Sequence, residues 1–328
     1  MELRVQSPRD LLGIAGCARL GDTIPRRIAF INEKGGSGKT TLVANIAAHL
    51  ALRRGRRTLA IDMDPQGQLG KVLGLEVRRP RHSAIELLVD SLLGEDFEKT
   101  ARRGDRDPVS SRLPATATRI RNLDIIVANK SLALFPSWTG GDPADEESTS
   151  RLAERLDTAP NTRDYDFILF DAPPSFGALT LNILRAVDEV VVPVPLTFLG
   201  LDGTAEMMRT LEMVRSRYDR PHLELVMVIP MFYRRTRLAR EILNKLEDRF
   251  SKELSLAVVG FNVKIDEAQS RGLSIIEYAP KDRGAEVMAS IAEELDARRR
   301  PKDQTRSTDR DTDTDTEQTM AEQEERYS

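Results

Sequence analysis

Among its 328 residues the chain has one cysteine, three histidines and one tryptophan. A lone thiol, Cys17, excludes a disulfide framework and any zinc or iron–sulfur site built from several cysteines. His49, His82 and His222 lie too far apart in sequence to show ligand spacing, and read as surface or satisfied histidines. No apolar run reaches the ~18 residues that suggest a membrane span. The stretch from Leu11 to Ala18 is apolar but short, and Arg4, Arg9, Asp10 and Arg19 surround it, which does not fit a secretory signal. A cytoplasmic protein is implied.

Charge of one sign is also missing. The net charge is −3, and residues 300–328 hold 5 basic and 9 acidic side chains, leaving 44 basic against 43 acidic elsewhere. A nearly neutral body can still carry a basic patch. The segment Asp309-Arg-Asp-Thr-Asp-Thr-Asp-Thr-Glu has no apolar periodicity with which to bury a core, so residues 300–328 read as a disordered acidic tail. Residues 1–25 read as a leader with at most one short helix.

Residues 26–299 alternate between strand-like and helix-like segments. Strands are expected at 27–32, 57–62, 123–127, 167–171, 189–194, 223–229 and 256–261. Helices are expected at about 40–54, 68–74, 84–93, 149–157, 178–186, 203–217, 236–250 and 284–299. Residues 100–118 and 139–150 read as solvated polar stretches. Such alternation predicts an α/β domain with a mostly parallel, doubly wound sheet and helices on both faces. Phe167-Ile-Leu-Phe-Asp171 is nearly all apolar, as a strand covered on both faces should be.

Between the first strand and the first helix lies Glu33-Lys-Gly-Gly-Ser-Gly-Lys-Thr-Thr41. Strand, glycine loop and helix form the layout in which backbone N–H groups and a helix N-terminus hold phosphate. The ordinary pattern requires glycine where Glu33 stands. A lysine-headed variant running from Lys34 through Gly35, Gly36, Ser37 and Gly38 to Lys39 and Thr40 is complete, and Thr41 follows. Lys39 should reach the β- and γ-phosphates of a nucleotide such as ATP, and the Thr40 hydroxyl should sit on Mg²⁺. A second lysine close to the phosphates is repelled unless it has its own anion. Lys34 therefore turns back onto its own nucleotide or reaches one held by a second subunit.

Two more segments end in acids. Residues 57–62 lead to Asp62-Met-Asp64-Pro-Gln-Gly67, and residues 167–171 lead to Asp171-Ala-Pro-Pro-Ser175. In open α/β sheets the ligand lies beyond the carboxyl ends of the strands, on the same edge as the glycine loop. Asp171 has the place of an acidic residue that binds Mg²⁺ through water, Asp62 supports the ion or its waters, and Asp64 can orient the attacking water.

Together with Val192-Pro-Val-Pro195, Tyr233-Arg-Arg-Thr-Arg-Leu238, Asp266-Glu-Ala-Gln-Ser-Arg-Gly272 and Glu277-Tyr-Ala-Pro280, these motifs resemble the ParA partition ATPases, within the ParA/MinD class of P-loop proteins with a deviant Walker A loop. The resemblance spans roughly residues 26–297. It implies a weak ATPase whose Lys34 contacts the nucleotide across a homodimer, with Asp64 at the hydrolytic position and residues 62–70 and 171–182 as switches. It also implies non-specific DNA binding by the ATP state through Arg235, Arg237, Arg240 and Lys264, with Lys245, Arg249 and Arg271 as weaker candidates. The expected partners are a second copy, DNA and a ParB-like adaptor, acting in the cytoplasm on the nucleoid to partition plasmid or chromosomal DNA. The chain departs from the family in carrying Lys264 where arginine is common, and Gly260-Phe-Asn262 where Pro-Arg-Asn is common. The alternatives are a MinD-like membrane ATPase, a cargo-positioning relative and an ATP-dependent small-molecule ligase. The acidic end of the chain disfavours anionic lipid.

Overall fold

The computed structural model describes residues 24–78, 80–89, 111–138 and 146–298. The expected acidic tail, and the expected leader up to residue 23, lie outside the described residues. So do residues 100–110 and 139–145 of the polar stretches and the end of the helix expected at 84–93.

The elements run β1 (Arg26–Phe30), α1 (Lys39–Arg54), β2 (Thr58–Asp62), α2 (Gln68–Val72), β3 (Thr116–Ala117), β4 (Leu123–Ile126), α3 (Phe135–Trp138), α4 (Glu146–Thr158), β5 (Phe167–Asp171), α5 (Ala178–Ala186), β6 (Glu189–Pro195), α6 (Phe198–Arg217), β7 (Glu224–Met231), α7 (Arg237–Arg249), α8 (Val263–Ser270), α9 (Ile275–Tyr278) and α10 (Arg283–Ala297). Seven strands form one sheet in the order β3-β4-β2-β5-β1-β6-β7. Among the described residues only the short edge strand β3 is antiparallel to its neighbour.

Side chains alternate across a strand with a period of two. Ile28 and Phe30 therefore pack into the layer holding α1 and α10, with Leu42, Ile46, Met288 and Ile291. Ala29 and Ile31 point the other way, into the layer holding α4 to α7, with Leu152, Leu181, Leu211 and Ile242. Both faces are covered, which is why β2 and β5 are buried at every residue.

β6 carries two prolines although it lies between β1 and β7. The backbone explains their tolerance. Val191 O accepts from Ile31 N and Pro193 O accepts from Asn32 Nδ2, so alternate residues 191, 193 and 195 face β1. β1 ends at Phe30, and the chain then leaves for the glycine loop. Proline's missing N–H therefore falls where no ladder partner remains.

Three expectations need correction. Residues 256–261 are not a strand. The segment runs beside β7 through isolated parallel bridges, Val228 to Leu254 and Tyr233 to Gly260. Between them Pro230 cannot donate, and the Glu294 carboxylate takes Leu256 N at 3.1 Å and Ser255 Oγ at 3.0 Å. The helix expected from 203 begins at Phe198, because Thr197 caps it with its Oγ1 accepting from Gly200 N. Residues 84–87 form a single tight turn, with Glu86 Oε1 accepting from Ser83 N at 3.0 Å.

Candidate active site

The glycine loop joins β1 to α1 at the carboxyl edge of the sheet, between the ends of β5 and β6. Gly38 caps α1 in the left-handed region (φ 93°), and a Cβ there would lie 2.5 Å from Met231 Cε, so glycine lets β7 close against the loop. At Gly35 and Gly36 an added Cβ would meet no atom within 4 Å, so the loop opens onto free space.

Lys39 is buried, and its Nζ donates to Asn32 O (2.9 Å) and Lys34 O (3.3 Å). An ammonium has three donors, so one remains for a phosphate oxygen. Burial lowers its pKa, and the nearby Asp171 and Asp64 carboxylates oppose that shift. Lys34 behaves differently. Its backbone N–H is anchored on Asn32 Oδ1 at 2.8 Å, whereas its half-exposed ammonium makes no ion pair or hydrogen bond among the described residues.

Asp62 and Asp171 are register partners on β2 and β5, and both are fully buried. Thr40 Oγ1 donates to Asp171 Oδ2 at 2.7 Å, while Asp171 Oδ1 is buried with no partner among the described residues. Burial pushes the Asp171 carboxyl up to about 7, against the pull of Thr40 and Lys39. Asp62 is also raised, by burial first and by Asp171 second. Its two oxygens accept from Asp64 N (3.1 Å) and Leu69 N (3.0 Å), which ties down the turn carrying Asp64. Gly67 completes that turn at φ 62°, where a Cβ would lie 2.6 Å from Ala128 O. Asp64 is half-buried and accepts Gln66 N at 2.9 Å.

These residues fit a magnesium–nucleotide complex. The orphaned Asp171 Oδ1, the buried Ser37 Oγ, which has no partner among the described residues, and the open cradle at Gly35 and Gly36 all suit a polar ligand. Thr40 and Asp171 would hold the cation, with Asp62 behind them. No group of three or more acidic, histidine or cysteine side chains forms a ready-made metal cage among the described residues. The cation must therefore take much of its coordination from nucleotide and water.

Arg235, Arg237, Arg240 and Lys264 are all exposed beyond the end of β7. Arg237 is paired with Glu241 (2.8 Å) and Lys264 with Glu267 (2.7 Å), whereas Arg235 and Arg240 have no ion pair among the described residues. Arg235 lines a cavity of about 420 Å³ together with Tyr233, Phe261, Asn262 and Arg283. Of the weaker candidates, Lys245 and Arg249 are exposed on α7, and Arg271 lies 5.3 Å from the Tyr278 ring centre.

Sequence reasoning missed Phe232, whose φ of 59° is rare for an aromatic residue, and whose ring lies 5.9 Å from Phe261 and next to Gly38. It also missed α8 and α9. Asn262 caps α8 through Lys264 N and Ile265 N, and Ser274 with Glu277 forms a capping box before α9. The Ser-x-x-Glu spacing was a readable signal.

The sheet order, the lysine-headed loop and the paired strand-end aspartates define a P-loop nucleoside triphosphatase. A family model described as an AAA domain matches residues 25–225. The chain is 36% identical over 274 residues to the chromosome-partitioning ATPase Soj of Thermus thermophilus, covering 83% of this chain and 96% of that one. It is 33% identical over 284 residues to the chromosome partitioning protein ParA of Myxococcus xanthus, covering 85% and 91%. The chain belongs to the ParA-type ATPases. Among solved structures, cobyrinic acid a,c-diamide synthase of Mycobacterium smegmatis with bound ADP and magnesium superposes with a TM-score of 0.64 at 27% identity, covering 84% of this chain and 97% of that one. That likeness to a small-molecule enzyme reflects a shared nucleotide-binding frame, on which unrelated activities are built. No helix among the described residues is long and apolar enough to cross a membrane.

Proposed function

We propose that this protein is a nucleotide-gated dimer that binds DNA without sequence preference in its ATP state and serves in DNA partition. One observation carries the reading: an unpaired Lys34 stands beside the buried Lys39, in a loop flanked by exposed apolar side chains. Phe198 (72% exposed) and Leu199 (61%) follow β6, and Phe176 follows β5. These strands flank β1, so the apolar groups border the nucleotide edge. Apolar side chains grouped around a cation suit a face that closes on a second copy, where Lys34 would meet the partner's phosphates much as an arginine finger does.

Magnesium-bound ATP supplies the scissile phosphoanhydride and the charge to be neutralised. Lys39 would use its free donor on the phosphates, and Thr40 and Asp171 would hold the cation, whose charge would offset that of the phosphates. Asp64, on a turn anchored by Asp62, orients the attacking water. Among the described residues no histidine stands beside its half-exposed carboxylate to act as a strong base, which fits slow turnover and release on demand by a ParB-like adaptor. Arg235 and Arg240 contact DNA phosphates from the adjoining face and place the dimer on the nucleoid.

Co-sedimentation with DNA under ATP, ADP and no nucleotide, at two salt concentrations, tests the reading. Binding is expected with ATP alone and should fall steeply with salt. Replacing Arg235 and Arg240 together by Ala removes four arginines from the dimer and should reduce the slope of log affinity against log salt by about 4. Equal binding in all nucleotide states would remove the switch.

A further inference from the structure

We infer that Gln269 is a positioning residue for the nucleotide, acting through Thr41 to keep that residue's hydroxyl proton available for phosphate. Gln269 lies on α8, remote in sequence from the glycine loop, yet its Nε2 donates to Thr41 Oγ1 at 2.7 Å. A hydroxyl has one proton and two lone pairs. With the amide as donor, the Thr41 oxygen is the acceptor and its own proton is uncommitted.

Two other helical threonines show the contrast. Thr204 Oγ1 donates to Gly200 O at 2.9 Å, and Thr158 Oγ1 donates to Glu154 O at 2.8 Å, the usual bond back to the preceding turn. Thr41 makes no such donation among the described residues. It stands in the first turn of α1, immediately after the Thr40 that bonds Asp171. There its proton can meet a phosphate held by the loop.

The arrangement is reinforced one turn further along α1. Asn45 is buried, donates through Nδ2 to Thr41 O at 2.7 Å, and accepts Ile275 N through Oδ1 at 2.7 Å. Two hydrogen bonds thus fasten the segment carrying α8 and α9 to the helix that begins at the loop. The Asn45–Ile275 bond fixes where the segment bearing Gln269 meets α1 without any contribution from the nucleotide.

The inference rests on the glycine loop being the nucleotide site, and a double-mutant cycle on the full chain separates the two. Affinity is read with a fluorescent ATP analogue and Mg²⁺, and folding is checked by thermal unfolding. Gln269→Leu should weaken binding about fivefold, the loss of one hydrogen-bonded arrangement. Gln269→Glu should weaken it further, because a carboxylate only accepts and would claim the Thr41 proton. In a Thr41→Val background the Gln269→Leu change should have no further effect, whereas Thr41→Ser should preserve the dependence on Gln269. A purely structural role for Gln269 would give additive losses, and additivity overturns the inference, as would unchanged affinity in Gln269→Leu. Lys39→Gln is the control: if it still binds the analogue, the site reading itself has failed, independently of Gln269.

Discussion

The two edges of the sheet treat charge in opposite ways. At the amino edge nearly every ionic group is consumed by structure. Arg26 at the start of β1 meets Glu189 at the start of β6, with Nε 2.9 Å from Oε1. Arg27 pairs with Asp157 at 2.7 Å and Arg220 with Asp188 at 3.2 Å, while Asp296 on α10 takes both Arg54 and Arg56. At the carboxyl edge Lys34, Arg235 and Arg240 have no ion pair among the described residues, one Asp171 oxygen is orphaned, and Phe198 and Leu199 face solvent. A fold needs only one edge to be settled. The other keeps its donors, acceptors and apolar groups for ligands, at the expense of burying two neighbouring carboxylates.

The largest test of this contrast is Lys39→Gln. It removes a buried cation whose remaining donor is reserved for phosphate, so ATP affinity should fall by about 100-fold or more, roughly 3 kcal/mol. Isothermal titration with ATP and Mg²⁺ reads it, and near-normal affinity would mean that the edge is not a phosphate site. Next comes Lys34→Ala. Because that ammonium has no partner of its own, its loss should leave ATP affinity within about threefold, since a half-exposed cation contributes little alone. The same change should abolish dimer formation with a non-hydrolysable analogue, measured by light scattering. A normal dimer would show that Lys34 acts only on its own nucleotide.

The amino edge should respond in stability, not in binding. Glu189→Gln leaves the Arg26 guanidinium, 14% exposed, without its counter-charge. Denaturant unfolding should show a loss of about 2 kcal/mol, somewhat below the cost of stripping a partner from a fully buried pair. ATP affinity should not change. A drop in affinity equal to that of a loop variant would break the division between the edges.

Much of the settled part was legible in the chain. Phe167–Asp171 and Ala178–Ala186 stand where their patterns placed them, because a strand buried on both faces and an amphipathic helix each leave a local periodicity. The glycine loop was legible because its chemistry is contiguous. What escaped was non-local. Whether residues 254–260 complete a strand depends on Pro230 and Glu294, which lie on other elements. The start of α6 was hidden by Gly200 and Gly203, poor helix formers that a cap at Thr197 overrides. The aspartates were readable as strand ends, but their shared burial required the register of β2 on β5. Gln269 lay inside the motif of residues 266–272, but nothing local pointed to its role, since its meaning lies in a hydroxyl more than two hundred residues away.

The smallest expected effect tests whether the amino half is as settled as it looks. His49 lies on α1 below the phosphate loop, with a side chain 5% exposed. Among the described residues its ring nitrogens have no hydrogen-bond partner, although Nε2 is 3.3 Å from Glu293 Oε1 on α10. Burial lowers its pKa, Glu293 opposes the shift, and Arg53 and Arg54 add to it. The folded protein therefore holds this proton less tightly than the unfolded chain. The sign follows from linkage: between the folded pKa and the unfolded value near 6.5 the unfolded state binds more protons. The stability contributed by neutral His49 is present above that unfolded value and is lost as pH falls through the folded one. Denaturant unfolding at pH 5.5 and 7.5 should show the wild type weakening at the acid end more than His49→Gln does. Equal losses would mean that Glu293 compensates the buried imidazolium, and that α1 and α10 are ion-paired there as firmly as Arg26 and Glu189.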